Sequence, residues 1–183
     1  MQQKYDAILP LIKLVTLLDP KELDVYTTGM WHVAYNFTDE DERSDRRYIP
    51  AALALGKDGA KNNPDTYEMF FELGWLWYNK IDDQYDQAVK YFETVETKKD
   101  APPARRHMLA SAYQRNGQLM DSLNQYSKLL EDSDKLVKED NSFSNLSMRD
   151  TNAKNLDTLL VRMSQRGNFA LLRGEKNLQG YDT

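Results

Sequence analysis

The side chains that could perform chemistry are two acidic clusters and two histidines: Asp39–Glu42; Asp82, Asp83 and Asp86; His32 and His107. A calcium-binding loop alternates its acidic ligands and adds a glycine and a distal glutamate, and neither acidic cluster has that spacing. The two histidines fall in different segments of the chain, so they do not indicate a shared metal site or a catalytic triad. We interpret the acidic clusters as solvated loops and the histidines as ordinary packed or surface residues.

Other catalytic patterns are missing from the sequence. It contains no glycine-rich phosphate loop, no Gly-x-Ser-x-Gly elbow and no spacing that indicates a pair of acid and base carboxylates. It has no cysteine, which excludes disulfides, thiol nucleophiles and cysteine metal sites. The sequence therefore predicts a protein that is not an enzyme and needs no metal or other cofactor, and no small-molecule substrate is expected.

Composition and charge argue against nucleic acid as a partner and against a membrane span. The 183 residues include 24 Lys and Arg against 29 Asp and Glu, a formal net charge of −5, which argues against a nucleic-acid binder. A mean hydropathy of −0.75 indicates a soluble protein. The most apolar stretch, Ala7–Leu18, is shorter than the roughly 20 residues of a membrane span. With no signal peptide in the sequence, the cytoplasm is the expected compartment, although a processed or truncated start also accounts for that absence.

Two segments of the chain resemble each other. One is Asn63–Tyr78 followed by Tyr85–Val95, and the other is Ala104–Tyr113 followed by Gly117–Leu130. Each reads as two helical patterns around a short turn. The first helix carries leucine, a small residue and then an aromatic one turn later, and the second carries small, aromatic and apolar positions. Close packing of two helices explains this order, because the small residue lets the partner helix approach and the aromatic ring fills the adjoining gap.

This pattern resembles the tetratricopeptide repeat (TPR), a unit of roughly 34 residues that forms two antiparallel helices. The small residues of the second helices, Ala88 and Ser122, are 34 residues apart, and those of the first helices, Gly74 and Ala110, are 36 apart. A weaker earlier copy has small residues at Gly29 and Ala52, with an insertion over residues 37–47. The resemblance implies an all-α fold, a solenoid of antiparallel helix pairs.

We expect a single solenoid domain over residues 1–167, with about three repeats. Its predicted parts are an amino-terminal half repeat, three repeats, a capping helix and a poorly ordered tail: 1–18; 19–63, 64–101 and 102–140; 145–167; 168–183. The turn-rich stretch Asn141–Asn145 predicts a break, and the periodicity predicts the last helix over Arg149–Arg166.

The resemblance also implies a concave face lined by the first helix of each repeat. On that register a partner-binding groove consists of apolar anchors followed by polar selectors: Tyr26, Met30, Phe71, Trp75 and Tyr78; Asn79, His107, Gln114 and Arg115. Exposed clusters of aromatic and methionine side chains are typical of binding surfaces. The predicted function is thus a protein-interaction scaffold or assembly adaptor whose groove binds an apolar peptide or an amphipathic helix. The alternative is that the chain fills this groove with its own helices.

The apolar amino-terminal helix is a second candidate surface. Its apolar residues cover nearly the whole circumference, so it requires burial on more than one side. The predicted docking edge consists of Ile8, Leu11, Ile12 and Val15. It would bind a partner, a second copy of the chain or a membrane surface, and it would make the protein a peripheral subunit of a larger complex. The alternative is that a neighbouring part of the chain covers it.

Overall fold

The computed structural model describes residues 2–36, 48–81 and 83–165, and in those ranges all regular structure is helical. Eight α-helices lie there: α1 Gln2–Leu18, α2 Leu23–Trp31, α3 Ile49–Asn62, α4 Glu68–Lys80, α5 Tyr85–Glu96, α6 His107–Arg115, α7 Leu119–Glu139 and α8 Phe143–Gln165. A π-helical segment, His32–Asn36, continues α2, and a 3₁₀ turn, Pro103–Arg105, precedes α6. The chain divides into two compact units, residues 1–101 and 102–183.

Local sequence signals fix several helix ends in the first unit. Helix α1 ends at Leu18, where Asp19 and Pro20 follow. The side chain of Glu22 accepts a hydrogen bond from the backbone N–H of Asp24 and so caps α2. Pro50 lies in the first turn of α3, where the missing N–H costs no hydrogen bond.

The first unit packs α1 against α2, α2 against α3, α3 against α4, and α4 against α5. Its core contains fully buried side chains such as Val33, Met69 and Leu73. Gly74 of α4 makes the α4–α5 pair possible, because a Cβ atom at that position would lie 2.8 Å from the ring of Phe92. The leucine–small–aromatic pattern of the sequence therefore records this close approach of two helices.

The second unit consists of α6, α7 and α8. Helix α7 packs against both of the others, and the core contains Ala110, Tyr126, Leu159 and Met163. The turn between α6 and α7 contains Gly117 at φ +77°, a conformation that other residues rarely adopt. Helix α8 thus closes this unit with its carboxy-terminal half.

The break predicted at Asn141–Asn145 is shorter in the structure. Helix α8 begins at Phe143, and the backbone N–H of Asn145 donates to the Ser142 hydroxyl, which places Ser142 at the start of the helix. The Asn145 amide also donates to the Asp140 carbonyl at 2.8 Å. Serine and asparagine favour both turns and helix caps. In this structure Ser142 caps α8, so the helix begins earlier than predicted.

The predicted all-α fold of antiparallel helix pairs is confirmed. Helices α1 to α7 lie within the predicted half repeat and repeats, whereas α8 begins at Phe143, two residues before the predicted capping helix. The division into repeats stays a prediction. The insertion at 37–47 and the tail at 168–183 lie outside the described residues. None of the helices in the described part of the chain has the length and hydropathy needed to cross a bilayer.

Candidate protein-interaction surfaces

Aromatic rings form a continuous series along α4 and α5. The ring centroids of Phe71 and Trp75 are 6.1 Å apart, and those of Trp75 and Tyr78 are 6.3 Å apart. The ring centroids of Phe71 and Phe92 are 5.7 Å apart. Phe71 is only 5% exposed, whereas Trp75 and Tyr78 are half-buried. Asn79 is exposed and donates to the Trp75 carbonyl of its own helix. Of the anchors predicted on α4, Trp75 and Tyr78 therefore keep open surface.

The two anchors predicted on α2 lie in the core. Tyr26 is 1% exposed and Met30 is 3% exposed. The expectation that Tyr26, Met30 and Phe71 are exposed is therefore wrong for this structure, whereas a binding role for them stays untested. The reason lies in α3, which approaches closely enough that a Cβ atom at Gly59 would lie 2.9 Å from Cγ of Tyr26. The Gly56-x-x-Gly59 spacing is the sequence signal of this close approach.

A polar aromatic cluster, which sequence reasoning missed, lies between α2 and α4. The Trp31 indole N–H donates to the Glu72 carboxylate at 2.8 Å, and the rings of Trp31 and Tyr35 stack 4.5 Å apart. The Lys80 ammonium lies 4.5 Å from the centre of the Tyr35 ring. Burial, reinforced by the negative charge of Glu72, raises the pKa of Tyr35 to about 12. The cavity left at this cluster is only about 10 Å³, so the protein's own side chains fill the space.

The polar selectors predicted on α6 do not all meet at one place. Nδ1 of His107 lies 2.8 Å from the Ala104 carbonyl, so that nitrogen carries the hydrogen and donates it. His107 lines a cleft of the second unit, but Gln114 and Arg115 are not among its lining residues. Arg115 is exposed at the end of α6, and Gln114 is partly buried.

The second unit contains two adjoining clefts of about 370 and 400 Å³. They share Pro103, Met148 and Asn152, and we refer to them together as the α6–α8 cleft. The first is lined mainly by α7 and the second by α8 with the segment before α6. The further lining residues are Arg106, Leu129, Asp132, Ser133, Lys135, Leu136 and Glu139 in the first, and Ala104, His107, Phe143, Ser144, Ser147 and Thr151 in the second.

One residue on the rim of this cleft is unusually open. Phe143, the first residue of α8, is 87% exposed. Leaving so large an apolar side chain in water forgoes roughly 2 kcal/mol of burial free energy. Met148 and Leu136 add apolar surface inside the cleft. The arrangement suits an apolar side chain of a ligand, with polar groups around it.

Buried hydrogen bonds hold the walls of the cleft together. The Asn152 amide, on α8, donates to the Leu129 carbonyl and to the Ser133 hydroxyl of α7, at 3.2 and 3.4 Å. Arg149 forms an ion pair with Asp134 at 3.0 Å, and its hydrogen bond to that carboxylate is the main reason that the pKa of Arg149 is raised. The Asn152 hydrogen bonds therefore join α8 to α7 at the wall of the cleft, outside the apolar core.

Helix α1 carries most of the predicted docking edge in the open. Ile8, Leu11 and Val15 are exposed, whereas Ile12 packs against the core, where its Cγ2 would lie 3.0 Å from a Cβ at Gly29. Ile12 therefore anchors α1 on the core, and Ile8, Leu11 and Val15 face away from it. Two more exposed leucines extend their row. We refer to the row Ile8, Leu11, Leu14, Val15 and Leu18 as the α1 stripe.

The described residues show no cluster of metal-binding side chains at these surfaces. Among the described residues, no three histidine or acidic side chains lie close enough together to hold a metal ion. His32 begins the π-helical segment of the first unit and His107 begins α6 in the second. The surfaces therefore offer apolar contact and hydrogen bonds.

Comparison with known proteins supports the fold. No family model matches the sequence, and no curated protein matches it. Among solved structures, the fold is similar to the crystal structure of a thermophilic TPR protein from Thermus thermophilus. The TM-score is 0.56 and the sequences are 21% identical, over 81% of this chain and 71% of that one. The molecule is thus a helical-repeat protein with a TPR-like fold.

Proposed function

We propose that the protein is a non-enzymatic interaction module that binds a protein ligand in the α6–α8 cleft. The observation that carries the proposal is Phe143, an almost fully exposed aromatic residue on the rim of a cleft of about 400 Å³. Clefts of roughly 300 to 1,000 Å³ are typical of sites that bury a small ligand or a few side chains of a peptide. Exposed aromatic residues beside such pockets are frequent hot spots of binding.

The ligand that fits best is a peptide segment with one large apolar side chain. The cleft supplies apolar walls from Pro103, Leu136 and Met148 and polar groups from its serines, His107 and Lys135. A peptide brings backbone N–H and C=O groups that need partners when they leave water. The mixed lining meets both requirements, whereas a purely apolar ligand would leave the polar groups without partners.

The α6–α8 cleft contains His107 of the predicted groove but none of its apolar anchors. The anchors on α2 are buried and the space between α2 and α4 is nearly filled, which supports self-filling in the first unit. Trp75 and Tyr78 form a second candidate contact surface, because both are half-buried. The TPR-like fold supports an interaction role only in general terms.

The test selects peptides from a random displayed library against the full chain and then measures their affinity for three variants. Phe143→Ser should weaken binding by about 30-fold, which is the loss of a hot-spot residue. Val161→Ser is the matched control, because Val161 is also exposed on α8 but lines a separate cleft of that helix and not the α6–α8 cleft. Trp75→Ala examines the aromatic surface of α4.

Each outcome has a defined meaning. A loss confined to Phe143→Ser supports the cleft as the binding site. A loss confined to Trp75→Ala would assign binding to α4 and contradict the proposal. Equal binding by the wild type and all three variants would also contradict it. Circular dichroism of each variant shows that the helices persist, which is expected because both α8 positions are exposed.

A second candidate function is that of an accessory subunit that docks through α1. The specific observation in its favour is the exposed α1 stripe, which the α6–α8 cleft does not explain.

A further inference from the structure

The α1 stripe is a continuous apolar surface on one side of a short helix. Its members recur at intervals of three and four residues, which places them on one face of a helix with 3.6 residues per turn. On the opposite side, Leu9 and Ile12 pack against the core of the first unit. The described structure therefore covers one face of α1 and leaves the other in water.

The packing of α3 indicates what kind of neighbour this face fits. Helix α3 lies against α2 on one side and α4 on the other, so it is covered by two helices. Helix α1 is covered by α2 along the side of Leu9 and Ile12. The α1 stripe thus corresponds to a helix face with no second neighbour among the described residues, and an amphipathic helix is the element that would cover it.

The stripe is complementary to itself. In an antiparallel pair related by a two-fold axis at the level of Lys13, Ile8 of one copy faces Leu18 of the other, and Leu11 faces Val15. The midpoint of each pair is position 13, so a single two-fold axis generates both contacts. Contacts of this kind close on themselves and give a dimer and not a filament.

The charges near the stripe permit this pairing. Lys13 is the only charged residue between Ile8 and Leu18, and the helical period places it outside the stripe. Two copies can therefore approach without burying like charges. An anionic membrane surface is a poorer match, since helices that bind it carry several cations on their polar face and this chain has a net charge of −5.

Complete burial of the stripe reaches the lower limit of area for a specific contact. At roughly 100 Å² for each exposed aliphatic side chain, five residues offer about 500 Å² per copy. A symmetric pair would then remove about 1,000 Å² from water, which is where specific interfaces begin. Leu17, 77% exposed, lies about 120° around the helix from the centre of the stripe and therefore outside the contact.

We propose that two copies of this chain associate through their α1 stripes, antiparallel and related by a two-fold axis near Lys13. The dimer would carry two α6–α8 clefts, one on each copy. The inference does not depend on the proposed function, because a dimer can form whether or not the cleft binds a peptide.

The first experiment is analytical ultracentrifugation of the full chain from about 1 to 300 μM, a range that covers weak specific interfaces. The wild type should show a monomer–dimer equilibrium. Leu18→Glu should raise the dissociation constant by at least about 30-fold, because it places a carboxylate at a buried apolar contact. Leu17→Glu is the matched control, since Leu17 and Leu18 are 77% and 76% exposed but only Leu18 belongs to the stripe.

The second experiment tests the antiparallel arrangement. The chain has no cysteine, so single cysteines can be introduced without competing thiols. Separately purified Leu11→Cys and Val15→Cys chains of different mass are mixed and oxidised. The mixed disulfide should exceed either homodisulfide, because residue 11 of one copy faces residue 15 of the other. A parallel pair would give the homodisulfides instead and would overturn the antiparallel arrangement.

Three results would overturn the dimer itself. A wild-type chain that stays monomeric up to about 300 μM has no self-association of the proposed kind. Equal effects of Leu17→Glu and Leu18→Glu would show that the stripe is not the contact. Binding of the monomer to vesicles of anionic and zwitterionic lipid, lost in Leu18→Glu, would assign the stripe to a membrane surface.

Discussion

The hydroxyl of Ser122 donates a hydrogen bond to the carbonyl oxygen of Ala110 at 2.8 Å, and the Ser122 side chain is fully buried. These two residues occupy the small positions of α7 and α6. At the equivalent place in the first unit, Ala88 of α5 is also fully buried, without a hydroxyl. The serine therefore keeps the small volume of the position and adds a polar link between the two helices.

Replacing Ser122 by alanine should lower the free energy of unfolding by about 1 kcal/mol, the net contribution of a typical hydrogen bond. The volume changes little, and the Ala110 carbonyl belongs to helix α6, so no large cavity or orphaned acceptor results. Urea denaturation followed by circular dichroism measures the change. Ser122→Val should cost more, because it adds volume where the packing is close. A stability equal to the wild type in Ser122→Ala would show that the bond contributes nothing.

Gly74→Ala should destabilise the first unit in spite of the better helix propensity of alanine. The propensity gain is about 1 kcal/mol, whereas the added Cβ would lie 2.8 and 2.9 Å from two ring atoms of Phe92. Overpacking of this kind costs about 1 to 3 kcal/mol, so the expected net loss is about 1 kcal/mol.

A double-mutant cycle with Phe92→Leu isolates that overlap. In the Phe92→Leu background the ring is absent, so Gly74→Ala should become neutral or stabilising, with a coupling of about 1 to 2 kcal/mol. Thermal unfolding of the four proteins measures it. Additive effects would contradict the idea that this contact alone requires glycine.

The fold could be predicted because the small–aromatic sequence pattern consists of residues that contact each other across neighbouring helices. Gly74 with Phe92 and Ala110 with Ser122 are close in sequence, and each pair records the contact between two successive helices. The small–aromatic spacing therefore predicts both the helices and their pairing. Helix ends were less predictable, since Ser142 and Asn145 favour turns and helix caps alike.

Exposure of the candidate site could be predicted only in part. Periodicity places Tyr26 and Met30 on the first-helix face, but their burial depends on how closely α3 approaches, which is a long-range property. For α1 the sequence left an open docking edge and coverage by a neighbouring part of the chain as alternatives, because an apolar circumference shows that burial is needed but not what supplies it. The α6–α8 cleft was missed because it forms where α7 extends past α6, and periodicity within a single helix does not report such an offset.

The alkaline stability of the first unit should depend on Tyr35. The pKa of this phenol is about 12 in the folded chain, chiefly through burial and also through the charge of Glu72, against the model-peptide value of 10.0. An unfolded chain loses the proton near pH 10 while the folded chain keeps it. The folded state therefore holds more protons between these values, and stability falls as pH rises from about 10 to about 12.

Tyr35→Phe removes this proton linkage and keeps the ring that stacks on Trp31. The wild type should lose about 1 kcal/mol more than the variant between about pH 9.5 and 11.5, about half of what a fully buried site would give, since the phenol is partly solvated. Chemical denaturation at the two pH values measures the difference between the proteins. Tyr91, whose pKa burial also raises, adds a similar slope to both proteins and cancels in the comparison. Parallel pH profiles for the wild type and Tyr35→Phe would mean that water reaches the phenol freely and that the Trp31–Tyr35 stack opens in solution.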